Sequence, residues 1–578
     1  MATMHQRSSL ALWHALALPL MAVALLLAGC SGSLPTHVDR PVSEAWQKPQ
    51  ATLLGQITAR SRPATASPGH SGFSLMGGPE AAYGSRLSLV ENAQQTLDLQ
   101  YYAIHADAST ARLLRSIVRA AQRGVRVRVL LDDFHITGPD AQIMRLAFQP
   151  NIEMRMFNPL AGSRGSMLGR TYTLLTDFQR AQQRMHNKMF VADNAMAVVG
   201  GRNLGDEYFD ASSHGNFVDL DVLVAGPVVQ GLSRSFDSYW NNPRAYPVQS
   251  LISDKELRDL HAQFQREDKE SGTEHAPAAS QPPGTQAPEN AAAIHGDHSL
   301  NLRRIPWVWA QAVVLADQPA KIPLESASGP AESAGNPPDT TGIMAISQPP
   351  LPGKERSSPV LGADSVVDGL LAMIRSARRE LLIVSPYFVP GGEIMQAFRQ
   401  ARQRGVRVRV LTNSLASNDA PLAHAGYARH RKELLEIGVE LYEMLSTRAS
   451  VRSVLRSGST GDSGVSGASR AMLHSKLLVV DSRLTVIGSM NLDLRSQYQN
   501  TEIAILIASR SLSQQAASAV DEGLQDGAWK VQLTPGQKLI WRAPPGSDRQ
   551  DEHSEPDASL SLRLMLKLIG PLAPDSLL

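Results

Sequence analysis

One cysteine in 578 residues leaves no room for a disulfide framework or a thiolate zinc site, because both need several sulfurs. Charge of one sign is equally scarce. Lys and Arg total 56 against 54 Asp and Glu, a formal net of +2, so no bulk positive field marks a general nucleic-acid binder. Beyond residue 27 no apolar run is long enough to span a bilayer, which places the body in an aqueous compartment. What remains is ordinary globular material. Hydrophobic residues make up 43% and charged residues 19%, enough for real cores, and the length points to two or more domains.

The lone cysteine is Cys30, and its setting is informative. Leu10 to Leu27 is almost wholly apolar and follows a short segment carrying Arg7 and no acid, the layout of a secretory signal. The run ends Leu27-Ala28-Gly29-Cys30, which resembles the lipobox of bacterial lipoproteins. That resemblance implies cleavage before Cys30 and a lipid anchor on its thiol, with acyl chains holding the protein at a membrane. It also implies a bacterial cell envelope and a body facing the periplasm, with Ser31 leaning toward the outer membrane. The alternative is an uncleaved membrane helix with an incidental cysteine, although such helices are usually nearer ~20 residues.

The chain repeats itself. Gln122-Arg123-Gly124-Val125-Arg126-Val127-Arg128-Val129-Leu130 recurs residue for residue at Gln403 to Leu411. Each copy follows a helix-like segment, Arg112 to Arg123 and Glu393 to Arg404, and in each a glycine ends the helix before a strand begins. A strand-like run precedes each helix, at Leu97 to Tyr102 and Leu381 to Ser385. Strand, helix, strand is the unit of a largely parallel sheet, so two halves predict a duplicated α/β domain. The expected boundaries are a signal at 1–29, a tether at 30–70, a first domain at 71–262, a linker at 263–361, a second domain at 362–545 and a tail at 546–578. Within the linker, 302–322 reads as a packed strand between stretches too rich in Pro, Gly and Ser to order themselves. The tail segment Leu560 to Leu572 is apolar with Arg563 and Lys567 four apart, a helix for the membrane or the body, with packing on the body favoured. Arg126, Arg128, Arg407 and Arg409 read as solvated strand faces rather than a lipid-binding patch.

Chemistry is concentrated in a second repeat. His186-Asn187-Lys188 leads to Asp193 and then Gly200-Gly201-Arg202-Asn203, while His474-Ser475-Lys476 leads to Asp481 and then Gly488-Ser489-Met490-Asn491. Five fixed positions match by accident in a given chain roughly once in 10⁴, and here they match once per half. Residues two apart on a strand share a side, so each His and Lys pair faces one way. Tight turns at Asp193-Asn194 and Asp481-Ser482 fold each motif into a hairpin. Centred on Asn194 and Ser482, the hairpins set position 202 opposite 186 and 490 opposite 474. Each half then presents an imidazole, an ammonium and a carboxamide at one spot, with glycines that let a ligand approach closely. Lys188, Lys476, Asn203, Ser489 and Asn491 supply donors for phosphate oxygens. Two imidazoles on opposite sides of one phosphate can attack and protonate in turn, with no metal and no cofactor required to supply the nucleophile.

These paired motifs resemble the phospholipase D superfamily. The resemblance covers most of the chain after the tether, and it implies two α/β/α sandwiches packed about a pseudo-two-fold axis with the active site between them. It implies a phosphohistidine intermediate formed by His186, with His474 as acid and base. A carboxylate should orient each histidine, and Asp219 and Glu502 occupy the matching positions. Asp193 and Asp481, with Gly200, Gly201 and Gly488, are expected to be structural. Gly201 stands where the second half has Ser489, so phosphate binding is expected to be asymmetric.

Within the superfamily, the block Gly488 to Ser496 with Asn500-x-Glu502 is similar to the second motif of cardiolipin synthases. Ser417 to Tyr427, with Arg431 and Gly438 to Glu443, resembles the corresponding block of the C-type bacterial enzymes, as do Ala316-Asp317-x-Pro319-x-Lys321 and Asp132-Asp133. The implied reaction is phosphatidyl transfer to phosphatidylglycerol, giving cardiolipin. Phosphatidylglycerol and phosphatidylethanolamine are the candidate donors, and an accessory protein is a further partner to consider. Nucleic acid is not expected as a partner. The competing readings are a phospholipase D hydrolase releasing phosphatidic acid, a nuclease, and a non-enzymatic envelope lipoprotein.

Overall fold

A computed structural model describes residues 34–160, 177–252, 299–323, 366–446 and 470–570, with scattered positions at 255–266 and 574. Cys30 and the signal-like run lie outside these residues, as do most of the linker and the stretch 447–469. No helix among the described residues is long and apolar enough to cross a membrane.

The first half contributes β1 (Ser71–Met76), β2 (Thr96–Tyr101), β3 (Arg126–Asp132), β4 (Ile152–Phe157), β5 (Met189–Ala192), β6 (Met196–Gly200), β7 (Gly215–Val218), β8 (Asp221–Ala225) and β9 (Ala245–Pro247). Next comes β10 (Val308–Ala316), inside the linker. The second half contributes β11 (Glu380–Val384), β12 (Arg407–Asn413), β13 (Glu440–Met444), β14 (Arg470–Leu473), β15 (Leu477–Val480), β16 (Leu484–Gly488), β17 (Ile503–Ala508), β18 (Ala528–Leu533) and β19 (Leu539–Arg542).

The two halves have matching strand orders. The order β8-β6-β5-β2-β3-β4-β9 in the first half corresponds to β17-β16-β15-β11-β12-β13-β18 in the second, with β1 added beside β8 and β19 beside β18. β10 joins them: its first residues pair with β1 and Gln311 to Ala316 pair with β17, making one seventeen-stranded sheet. A separate parallel pair, β7 with β14, ties the halves a second time.

The expectation of a largely parallel sheet is corrected here. Only β2, β3 and β4, and their counterparts β11, β12 and β13, run parallel within the large sheet. The helices that return the chain between parallel strands are where the sequence placed them, at Ala108–Gln122 and Gly392–Gln403. Gly124 and Gly405 end them at φ +95° and +82°, the left-handed turn a glycine makes without strain. The motif segments instead fold into hairpins, which are antiparallel by construction. Their register matches the expectation: Met189 opposes Val199 and Leu477 opposes Ile487, which centres the turns on Asn194 and Ser482. Asp193 and Asp481 sit in those turns with positive φ, and each carboxylate accepts three backbone N–H groups, from Gln94, Gln95 and Thr96 or from Arg378, Arg379 and Glu380.

Two arginines of the stripes depart from expectation, while Arg407 is exposed and pairs with Glu440. Arg128 is fully buried, bonded to Asp98 at 2.6 Å and Asp237 at 2.8 Å, and Arg409 is buried against Asp521. Helices cover both faces of the sheet, so alternation with valine here means two buried faces rather than one wet one. Residues expected in the tether behave likewise. Arg40, Ser43 and Ala45 hydrogen-bond to the first half, and Leu54 and Ile57 of the helix Leu53–Ser61 are buried. The tail forms the helix Leu560–Ile569, whose following Gly570 carbonyl accepts from Arg429, while Leu560, Leu564 and Leu568 stay exposed. Each half has its own apolar core, and a third spans the seam, uniting Phe73, Met185 and Val199 with Val314, Leu473 and Ile505.

Candidate active site

The chemical residues lie where the hairpins meet the seam. β3 and β12, the strands begun by the nine-residue repeat, end at Asp132 and Asn413. Each terminal side chain catches the residue just before a motif histidine: Met185 N–H donates to Asp132 at 2.9 Å and Leu473 N–H to Asn413 at 2.8 Å. The histidine's own N–H then reaches across the seam. His186 N donates to the Thr501 carbonyl at 2.9 Å, and His474 N to the Val218 carbonyl at 2.8 Å.

The side chains cross as well. His186 Nδ1 lies 2.9 Å from Glu502, a residue of the second half, and His474 Nδ1 lies 2.7 Å from Asp219, a residue of the first. An Nδ1–H held by a carboxylate leaves the lone pair on Nε2, the nitrogen that can attack or take a proton. Beside each imidazole is a buried lysine: Lys188 Nζ donates to the His186 carbonyl at 2.8 Å and Lys476 Nζ to that of His474 at 2.6 Å. Tyr102 meets the His186 ring edge-on at 5.1 Å and Tyr208 meets His474 at 5.3 Å. The structure therefore brings His186, Lys188, Asp219, His474, Lys476 and Glu502 to one buried centre.

Burial dominates the electrostatics. It lowers His186 to about 4, against the pull of Glu502 and with the help of Lys188. It pushes His474 well below the usual imidazole range, joined by the repulsion of Lys476 and Lys188. Lys188 is likewise depressed by burial, and Lys476 falls to about 8. Burial pushes Glu502 up, but His186, Lys188 and the Ser489 hydroxyl outweigh it and hold the carboxyl at about 2. Asp219 is raised by burial, opposed by Lys476 and Arg202.

Two expected phosphate ligands are turned elsewhere. The Ser489 hydroxyl donates to Glu502 and accepts from Ile503 N–H. Asn203 accepts from Ala103 N–H and donates to Tyr208, whereas Asn491 Oδ1 is buried without a partner. Nor are the glycines openings for a ligand. A Cβ on Gly201 would lie 2.5 Å from Asp219 Oδ2, one on Gly200 2.0 Å from Asp221, and one on Gly488 2.2 Å from the Ile503 carbonyl. They admit the neighbouring strand and its carboxylate. The asymmetry between Gly201 and Ser489 thus falls on the carboxylates: Glu502 receives hydroxyls from Ser489 and Ser496, while among the described residues Asp219 receives His474 and the Leu220 N–H. Asn413, Thr501 and Val218 were not singled out by motif spacing; the exact nine-residue repeat, followed two residues later by Asp132 and Asn413, was the available signal for the first of these.

Gly201→Ala should fold, displace Asp219 from His474, and lower turnover by about a hundredfold or more, as expected for a misplacement of an ångström at a reacting group. Circular dichroism with initial-rate measurements checks both parts. The histidines also set a pH dependence of stability. An unfolded imidazole takes its proton near 6.5 and folded His186 near 4, so stability is full above pH 6.5 and falls as pH drops through that window. One such group contributes a slope of about 1.4 kcal/mol per pH unit. Urea unfolding at stepped pH should show this decline, and it should be shallower in His186→Gln.

Comparison with known proteins converges on this geometry. Residues 87–240 and 370–522 each match the family described as "Cardiolipin synthase, PLD-like domain". "Cardiolipin synthase C" of Escherichia coli (strain K12) is 34% identical over 503 residues, 86% of this chain and 94% of that protein. An "Uncharacterized protein" of Helicobacter pylori (strain J99) is 31% identical over 539 residues, covering 93% of this chain and 95% of its own length. Among solved structures, the phosphatidylserine synthase of Haemophilus influenzae Rd KW20 covers 86% of this chain and 93% of its own at a TM-score of 0.50; at 12% identity it shows a shared fold. With a match in each half and similarity along nearly its whole length, the chain belongs to the cardiolipin synthase family of the phospholipase D superfamily.

Proposed function

We propose that this protein makes cardiolipin by two-step phosphatidyl transfer, a reading that rests above all on the two Nδ1-anchored imidazoles sharing one centre with two buried ammonium groups. His186 Nε2 attacks the donor phosphorus, the bond to the head-group oxygen breaks, and that oxygen takes a proton from His474. In the second step the terminal hydroxyl of phosphatidylglycerol gives its proton to His474 and attacks phosphorus. The phosphorus–nitrogen bond breaks, freeing His186 and cardiolipin. Glu502 balances the positive charge that develops on His186, and Asp219 does so for His474. Lys188 and Lys476, with the Asn491 amide, hold the non-bridging oxygens.

Substrate charge favours protonation of His474, with the proton taken up from water. Without an anion both histidines are held neutral, partly by the lysines. A bound phosphodiester carries the opposite charge and offsets that repulsion, so His474 can be protonated when the leaving group needs it.

We further propose that Cys30 carries the lipid anchor and that the body faces the periplasm of a bacterial envelope. The apolar run before Leu27-Ala28-Gly29-Cys30 supports this. Arg40 is already bonded to the first half, so a tether of about ten residues would keep the body within roughly 35 Å of its membrane.

A cardiolipin-deficient bacterium expressing the wild type should accumulate cardiolipin, while His186→Ala and His474→Ala should fall below about a thousandth of its rate. Phosphatidic acid in place of cardiolipin would turn the reading to a hydrolase. In cells fed a labelled fatty acid, the wild type should incorporate it and Cys30→Ala should not; labelling of the variant would reject the anchor.

A further inference from the structure

The motif Ala316-Asp317-x-Pro319-x-Lys321 has no part in the chemistry above, yet it lies directly behind Glu502. β10 delivers Asp317 to the seam, and a short turn at Pro319–Lys321 brings Lys321 back over it. Asp317 is fully buried. Its Oδ2 accepts from Glu502 N–H at 3.0 Å and from Lys321 Nζ at 2.6 Å, and its Oδ1 accepts from Val366 N–H at 2.7 Å. Its own N–H donates to the Glu502 carbonyl at 3.0 Å. Lys321 Nζ also donates to the Ser496 carbonyl at 2.8 Å, and the Ser496 hydroxyl donates to Glu502 Oε1 at 2.9 Å. Tyr239, from the first half, bonds the Asp317 carbonyl at 2.8 Å.

Glu502 is therefore gripped at its N–H, its carbonyl and one carboxylate oxygen by a single Asp–Lys pair and the serine that pair holds. We infer that Asp317 and Lys321 are positioning residues for His186, acting through Glu502. The inference rests on the catalytic reading of His186 given above. A buried ion pair contributes little net stability, because desolvation of two charges offsets their attraction; what it fixes here is direction. The device is one-sided. The Asp219 carbonyl is held by Arg202, a residue of its own half, and among the described residues no connector side chain bonds it. Among the described residues, the segment that joins the halves thus grips the carboxylate of one imidazole and not that of the other.

The test compares Lys321→Met, Asp317→Asn and Lys321→Arg with the wild type, using phosphatidylglycerol vesicles and, separately, a chromogenic phosphodiester. Lys321→Met and Asp317→Asn should lower kcat about tenfold or more with KM little changed, because the lysines that hold the phosphate are untouched. Lys321→Arg, which can still bridge both oxygens, should recover most of the rate. Val313→Ala on β10 serves as a control that weakens packing away from Glu502; it should lower Tm and leave kcat at the wild-type value. If Lys321→Met and Asp317→Asn lose only Tm and keep wild-type kcat, the residues are merely structural and the inference fails. If Asp317→Asn does not fold, Lys321→Met alone decides. A wild type that cleaves the chromogenic diester without forming cardiolipin would sink the functional reading, while the same losses in the variants would leave the clamp standing.

Discussion

Each imidazole of the site is held by a carboxylate from the other half of the chain. Glu502 reaches His186 and Asp219 reaches His474, and the backbone crosses with them, through Thr501 and Val218. Neither half alone holds an oriented histidine, so the site exists only when the seam is closed. The rest of the architecture serves that closure. β10 pairs with both sheets, β7 and β14 pair across the seam, and the central apolar core draws on both halves.

Burial gives this crossing its force. Two imidazoles, two ammonium groups and two carboxylates sit together out of water, where an unpaired charge is costly and a paired one is directional. The lysines depress the histidines, the histidines and hydroxyls stabilise Glu502, and the balance waits on an anion. The halves are alike in backbone and unlike in charge. Glu502 has two serine hydroxyls where Asp219 has none, and Asp132 with Arg184 holds the first motif where neutral Asn413 holds the second. Such differences allow two chemically equivalent residues to take different roles.

Much of this was legible in the sequence. The duplicated motif named the histidines and lysines, the turn residues placed the hairpin register to the residue, and the exact repeat located the parallel strands. Readings that failed did so for one reason: they judged side chains by local pattern. Arg128 and Arg409 alternate with valine as a wet strand face would, but the covering helices bring Asp237 and Asp521 to them. Ser489 and Asn203 have the right groups for phosphate, and in the structure Ser489 bonds Glu502 while Asn203 bonds Tyr208. Gly201, expected to be structural, makes room for the Asp219 carboxylate.

The sequence by itself determined which residues form the duplicated motif, that they come in two copies, and how each hairpin folds, because these depend on spacing and turn geometry within a few residues. Only the tertiary structure decided which carboxylate serves which histidine. That pairing spans 316 residues in one case and 255 in the other, and nothing local distinguishes a crossed partner from an uncrossed one. It follows from the pseudo-two-fold packing of the halves, which sets each motif against the far strand of its counterpart and lets a buried connector residue, Asp317, stand behind one carboxylate alone.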